Sequence, residues 1–314
     1  MKNNEVKVLF KYIGGKTWMK DIIRKSIKET LKNNNINTFI EPFAGGLGCF
    51  LNIYDLLIEH NVKNIILNDI NKKIINFYKC VYQSPQILIN EYECIEKEFI
   101  KLIPYNYIQS NNIKDKEKIK ELLAEANHYF LNIRNKFNSS SHDDEKAAAL
   151  FLFLQTHCFN GVYRENQKGN YNTPFNWGVK KFDKEKTEQK ILKVHNIFRN
   201  FNIDFTNKSY NSICYNIENS LYYADPPYIN NDDEIKENKY HKDGFNIKDQ
   251  LNLIKLLSPN NFIYSNHDNS ILLEEFKKYS NNIKIKRFSR KNIMSASKES
   301  RKQDKKEILV SHIK

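Results

Sequence analysis

The stretch that most constrains this chain is SLYYADPPY at 220–228. Leu221 to Ala224 read as a short buried strand, and that strand cannot continue past Asp225. Neither Pro226 nor Pro227 donates a backbone N–H and both fix φ, so a sheet ladder has no place for them. A carboxylate and an aromatic ring are therefore held where a strand leaves its sheet. In open α/β sheets that carboxyl edge is where ligands bind. A plain Asp-Pro turn has the same local signature, so the neighbouring segments must decide.

Those segments alternate. "NTFIEPF" (37–43) reads as a strand, "LGCFLNIYDLL" (47–57) as a helix, "VKNIILND" (62–69) as a strand and "KKIINFYKCVY" (72–82) as a helix. This order argues for a parallel sheet. From 84 to 142 the chain turns helical and charged, an inserted subdomain, and the apolar helix at 145–156 should be buried. "NGVYRENQKGNYNTPFNWG" (160–178) is polar and turn-rich, suited to a surface loop or hairpin. Alternation resumes through "KILKVHNIF", "IDFTN", the 220–228 stretch, helix 246–257, strand 261–268 and helix 270–279, with a loop at 231–244. "IKIKRFSR" and "KKEILVSHI" read as an antiparallel ending around a basic loop at 289–306.

The 314 residues, 40% hydrophobic and 13% aromatic, can bury a sizeable core. No apolar run approaches the roughly 18–20 residues of a membrane span, and the start of the chain lacks a secretory signal. Five scattered cysteines form no CxxC or Cys/His cluster, so no metal site is expected and the chain reads as intracellular, cytoplasmic and reduced. A net charge of +13 suits a polyanionic partner. Only seven of the 50 cations are arginine and the chain is crowded with Lys, Asn and Ile, so codon bias supplies a rival explanation.

Three motifs accompany Asp225. In "FIEPFAGGLGCF" (39–50) a strand ends at Glu41 and a turn bearing Gly45, Gly46 and Gly48 leads into a helix, as at nucleotide-type sites. In "ILNDIN" (66–71) Asp69 closes the next strand, where a carboxylate can accept from ribose hydroxyls or cap a helix. In "FKYIGGKTWM" (10–19) Tyr12 can stack on a flat ring and Lys16 can reach a carboxylate. The GxxxxGK[ST] pattern of P-loop NTPases is absent.

The collinear order K-Y-x-G-G-K, E-P-F-x-G-G, N-D, D-P-P-Y resembles the Dam-type (D12 class) adenine-N6 DNA methyltransferases. "FNGVYRENQKGNYNTPF" (159–175), "SNHD" (265–268) and the basic tail extend the resemblance over essentially the whole chain, the 84–142 segment being least distinctive. It implies a Rossmann-like S-adenosylmethionine-dependent α/β fold. Residues 1–83 and 145–314 would form the catalytic domain, with a DNA-reading hairpin at about 159–178 and a helical target-recognition insert at 84–144.

S-adenosylmethionine would contact Tyr12, Lys16, Glu41, Phe43, Gly45, Asp69 and Asp225. Asp225 and the Pro226 carbonyl would accept the two N–H groups of an extruded adenine stacked on Tyr228, with Pro227 completing the catalytic motif. Lys11, Phe159, Asn160, Val162, Arg164 and Pro174 would contact double-stranded DNA at a GATC-like site, with Arg164 reading guanine. Aspartate at the head of the motif favours adenine over cytosine, whose enzymes usually carry serine there. Against the family pattern, "PFNWG" lengthens the usual "PFG", and Tyr12 and Val162 replace a common Trp and Leu. An enzyme acting as a monomer, with a cognate restriction nuclease as candidate partner, fits this reading. RNA methylation with the same chemistry, and a silent DNA-binding protein of the same fold, are the competing readings.

Overall fold

The computed structural model describes residues 6–12, 16–178, 184–228, 245–279, 282–291 and 304–313. The loop expected at 231–244, most of the basic loop at 289–306, and Ile13, Gly14 and Gly15 lie outside the described residues. The chain divides into two compact units, one of Met1–Gly15, Gly45–Leu51 and Asn71–Asn200, the other of Lys16–Ala44, Asn52–Ile70 and Phe201–Lys314.

The second unit holds the sheet. Its strands are β1 (Thr38–Glu41), β2 (Asn64–Asn68), β3 (Asn202–Thr206), β4 (Ser220–Ala224), β5 (Asn261–His267), β6 (Lys284–Lys291) and β7 (Asp304–His312), in the order β3-β2-β1-β4-β5-β7-β6. The first five in that order run parallel; β7 pairs antiparallel with both β5 and β6, as the alternation and the basic ending predict. Strand order reverses between β1 and β4, the switch point at which doubly wound sheets open a crevice. β1 and β4 are buried along their whole length, which explains their unbroken apolar character.

Alternate residues of neighbouring strands, among them Ile40, Tyr222, Ala224, Tyr264 and Ile308, form one apolar face. Leu253, Ile254 and Leu257 of α10 (Ile247–Leu257) and Leu272 and Phe276 of α11 (Ser270–Tyr279) pack into the same cluster. Asn246 starts α10 with a capping box: its side chain accepts from Lys248 N and Asp249 N, and Asp249 accepts from Asn246 N. Helix α1 (Lys20–Asn33) buries Ile23, Ile27 and Leu31 on one side, and Arg24 on another bonds Asp55 of α2 (Phe50–Glu59).

The first unit is helical: α3 (Lys72–Gln83), α4 (Pro85–Lys101), α5 (Tyr105–Ser110), α6 (Lys116–Leu122), α7 (Ala124–Asn138), α8 (Glu145–His157) and α9 (Lys184–Phe198). α8 is buried continuously from Ala147 to Gln155, as its all-round apolar sequence predicts. It packs on α3, α4 and α7, and Asp144 caps it through Ala147 N. Among the described residues no helix is long and apolar enough to cross a membrane.

Candidate active site

The parallel ladder aligns three acids at its carboxyl edge. Glu41, the last residue of β1, is level with Leu67 of β2 and one step beyond the Ile40–Tyr222 pair. Asp69 and Asp225 therefore each stand two residues past the level of Glu41, on the strands to either side. Glu41 and Asp69 are buried. Sequence leaves Asp69 open as a helix cap; the structure gives that role to Asn71, whose Oδ1 accepts from Lys73 N at 3.0 Å. Asp69 is instead fixed through its backbone, its N–H donating to Thr206 O at 3.2 Å and its carbonyl accepting from Asn207 Nδ2 at 2.9 Å. Phe43 stacks on Tyr210 at 6.0 Å and meets Phe245 edge-on at 5.5 Å.

Around Asp225 the prolines do what their chemistry dictates. With no N–H at 226 or 227 the chain departs from β4, and Gln250 Nε2 donates to the Pro227 carbonyl at 2.8 Å. Gln250 in turn accepts from Tyr264 OH at 2.6 Å, and Tyr264 OH accepts from Asn266 Nδ2 at 2.7 Å, so the turn is clamped to β5.

Asp225 Oδ1 lies 3.3 Å from Lys16 Nζ, and its side chain is 20% exposed. Among the described residues that oxygen accepts no hydrogen bond. Burial pushes the Asp225 carboxyl above its ordinary value of 3.8; the Lys16 ammonium opposes the rise and Glu307 adds to it. Lys16 also lies 3.7 Å from Glu307 Oε2 and 3.8 Å from the centre of the Tyr228 ring, a cation–π contact. Tyr228 OH shares a hydrogen bond with Ser265 Oγ at 2.8 Å and donates to Glu307 Oε2 at 3.2 Å; His267 packs against its ring. One face of the ring expected to receive a base thus carries a lysine here.

Glu307 and Ser265 escape sequence reasoning. Ser265 falls inside the "SNHD" motif, but nothing in the pattern pairs it with Tyr228. Glu307 sits in the middle of β7 opposite His267. In DKKEILVSH the acid sits among other polar residues at the start of the apolar run, so the local pattern gives no signal for it.

Tyr12, Gly45 and the 158–176 loop belong to the other unit. Tyr12 lies flat against the glycine turn: a Cβ on Gly45 would come within 2.9 Å of Tyr12 Cδ1, and one on Gly46 within 2.9 Å of Tyr12 Cβ. Gly45 also has φ +46°, which favours glycine. Gly45→Ala is expected to cost about 1–3 kcal/mol, from left-handed backbone strain and the displaced ring. Urea unfolding would check it, with Gly48→Ala, which meets nothing within 4 Å, as the near-neutral control.

The 158–176 segment is a braced loop more than a ladder. Two isolated bridges, Cys158↔Phe175 and Glu165↔Tyr171, close it, and Phe159 N donates to Pro174 O at 2.8 Å. Its irregular turns explain the absence of strand periodicity: Asn160 (φ 58°), Gly161 and Gly169 are all left-handed. Lys73 Nζ holds the loop through Glu165 Oε1 at 2.7 Å and the Gly169 carbonyl at 2.6 Å, and Tyr163 OH bonds Glu165 while accepting from Asn71 Nδ2.

Phe159 (52% exposed), Asn160, Arg164 and Pro174 present themselves to solvent, Val162 is half-buried, and exposed Lys11 reaches 3.5 Å from where a Gly161 Cβ would stand. Asn172 orients Arg164, accepting from its Nε at 2.8 Å through Oδ1 and from its Nη2 at 3.2 Å through the carbonyl.

Known proteins resemble the chain along this same span. It is 33% identical to the type II methyltransferase M.MjaIII of Methanocaldococcus jannaschii over 261 residues, 80% of this chain and 79% of that protein. It is 27% identical to the DNA adenine methylase of Serratia marcescens, covering 95% of this chain and 97% of that one. The DNA adenine methylase of Vibrio cholerae is 26% identical over 83% of this chain and 82% of its own length. The family described as D12 class N6 adenine-specific DNA methyltransferase matches residues 12–297, and with the acids, prolines and tyrosine aligned at the switch point, this chain belongs to that family.

Proposed function

We propose that this adenine-specific DNA methyltransferase uses S-adenosylmethionine as methyl donor and acts on an adenine extruded from duplex DNA, with Asp225 as the central acceptor. The observation that carries the reading is Asp225 Oδ1, which lies at the exit of β4 beside Lys16 and accepts no hydrogen bond from a described residue. The donor set fits the cofactor chemically. Acids at Glu41 and Asp69 suit hydroxyl and amine donors, Lys16 suits a carboxylate, and Phe43 and Tyr12 offer apolar ring surface.

When bound, S-adenosylmethionine supplies an electrophilic methyl on a sulfonium. The protein's own task lies with the acceptor amine. The N6 lone pair of adenine is conjugated into the ring, so the amine is a poor nucleophile. Asp225 and the Pro226 carbonyl each accept one N–H and draw the nitrogen toward tetrahedral geometry. Positioning then supplies much of the rate enhancement. Pro227 keeps the turn rigid through its bond to Gln250, and Tyr228 gives the extruded base an aromatic neighbour. Gly45 keeps the turn close to Tyr12.

For the DNA, the loop about 159–178 reads the duplex: Arg164 reads guanine, Phe159 wedges into the duplex, and Lys11, Asn160, Val162 and Pro174 complete the contact. The helices within 84–144 add outer-base recognition. A GATC-like target, action as a monomer in the cytoplasm and a cognate restriction nuclease as partner complete the reading.

Methyl transfer from isotopically labelled S-adenosylmethionine to duplex DNA, with equal RNA as competitor, tests it. Label on DNA alone is the expected result; label on RNA alone would favour the RNA reading. The pH profile adds a second check. Asp225 must be ionised to accept an N–H, so kcat rises as pH climbs through its raised pKa. Lys16 opposes that rise. Lys16→Met therefore moves the acid limb to higher pH, measured at saturating donor.

A further inference from the structure

The catalytic cluster contains a buried acid that the reaction above does not use. Glu307 lies on β7, 4% exposed, opposite His267 of β5. Its Oε2 is 3.2 Å from Tyr228 OH, which donates to it, and 3.7 Å from Lys16 Nζ. Lys16 is thereby shared between two carboxylates, Asp225 at 3.3 Å and Glu307. One cation between two anions leaves this cluster with a net negative charge. A carboxylate whose only task was to fix Tyr228 could be any neutral acceptor, and Ser265 Oγ already bonds the same hydroxyl at 2.8 Å.

We infer that Glu307 is a positioning residue that sets Lys16 and Tyr228 and whose charge makes the site favour the cationic methyl donor over its neutral spent form. The inference rests on the donor reading given above. S-adenosylmethionine carries a sulfonium, an ammonium and a carboxylate, a net charge of +1; loss of the methyl group leaves a neutral thioether zwitterion. An uncompensated negative charge in a poorly solvated site discriminates between these two molecules, which otherwise differ by one methyl group. With Glu307 in place the donor's positive charge neutralises the cluster; that charge passes with the methyl group to N6 and departs as the N6 proton, after which the neutral product faces a negative cluster. That change assists release of the product.

The experiment measures equilibrium affinities of S-adenosylmethionine and S-adenosylhomocysteine by calorimetry for the wild type, Glu307→Gln and Glu307→Asp. Glutamine keeps an acceptor for Tyr228 OH and removes the charge. Glu307→Gln is expected to weaken donor binding roughly tenfold, the size of one pK unit of differential interaction, with little change for S-adenosylhomocysteine. Glu307→Asp keeps the charge and shortens the reach, so it should retain the wild-type affinity ratio while lowering kcat. Should the glutamine variant fail to fold, Glu307→Ser, also uncharged, takes its place: a lowered donor-to-product affinity ratio supports the inference and an unchanged one overturns it. Equal losses for both ligands in Glu307→Gln, or no loss, would overturn it while leaving the donor reading intact. A wild-type protein that bound neither molecule would overturn the donor reading, and this inference with it.

Discussion

Asp225→Asn is expected to lower kcat by on the order of a thousandfold while making the protein more heat-stable. The two effects have one cause. Burial raises the Asp225 carboxyl above its ordinary 3.8, so the fold tolerates the ionised form less well than the unfolded chain does. A group with a raised folded pKa contributes stability at low pH that is lost as pH rises through that pKa. Once Asp225 is ionised the wild type has lost it, whereas asparagine, neutral at every pH, has not. Where Asp225 is ionised, the melting temperature of Asp225→Asn should exceed that of the wild type, and the gap should close below the ordinary carboxylate range. Activity falls because an amide is a weaker acceptor and presents an N–H of its own toward the amine. A variant that lost activity and stability together would mark Asp225 as a structural residue.

Arg164→Ala carries the second large effect, and it falls on specificity. Asn172 engages Nε and Nη2 of Arg164, which fixes the plane of the guanidinium on an exposed loop. An arginine whose fork is already oriented loses less freedom on meeting guanine O6 and N7. Each such bidentate pair is worth about 1–3 kcal/mol of discrimination. Arg164→Ala should therefore lower kcat/KM on the preferred duplex by roughly 5- to 150-fold and flatten the preference at one base pair, with a smaller loss on unrelated DNA. Arg164→Lys should not restore it, because a point charge cannot pair bidentately. Steady-state kinetics on duplexes substituted one base pair at a time would check this. Unchanged preference across that set would remove Arg164 from sequence reading.

The sheet was legible because its strands are short apolar runs ended by residues with strong local rules. Glu41, Asp69 and Asp225 each follow such a run, and parallel pairing brings them to one edge. α8 was legible for the same reason, since an all-apolar helix can only be buried. What stayed hidden depends on contacts remote in sequence. Glu307 meets Tyr228 across 79 residues and Lys73 meets Glu165 across 92, and no periodicity encodes either pair. The 158–176 loop showed only polarity and turn residues because backbone–side-chain bonds, chiefly those of Asn138, Asn166 and Lys73, hold it in place of a ladder. The lysine over the Tyr228 ring was likewise out of reach, because an expected stacking face says nothing of what covers it.

The most direct test of the account is base-resolved mapping of modified positions on unmethylated genomic DNA after incubation with the purified protein and S-adenosylmethionine. The account predicts N6-methyladenine confined to one short sequence, absent with Asp225→Asn and spread to near-cognate sequences with Arg164→Ala. Genomic DNA left without N6-methyladenine by a protein that demonstrably binds the donor would contradict it.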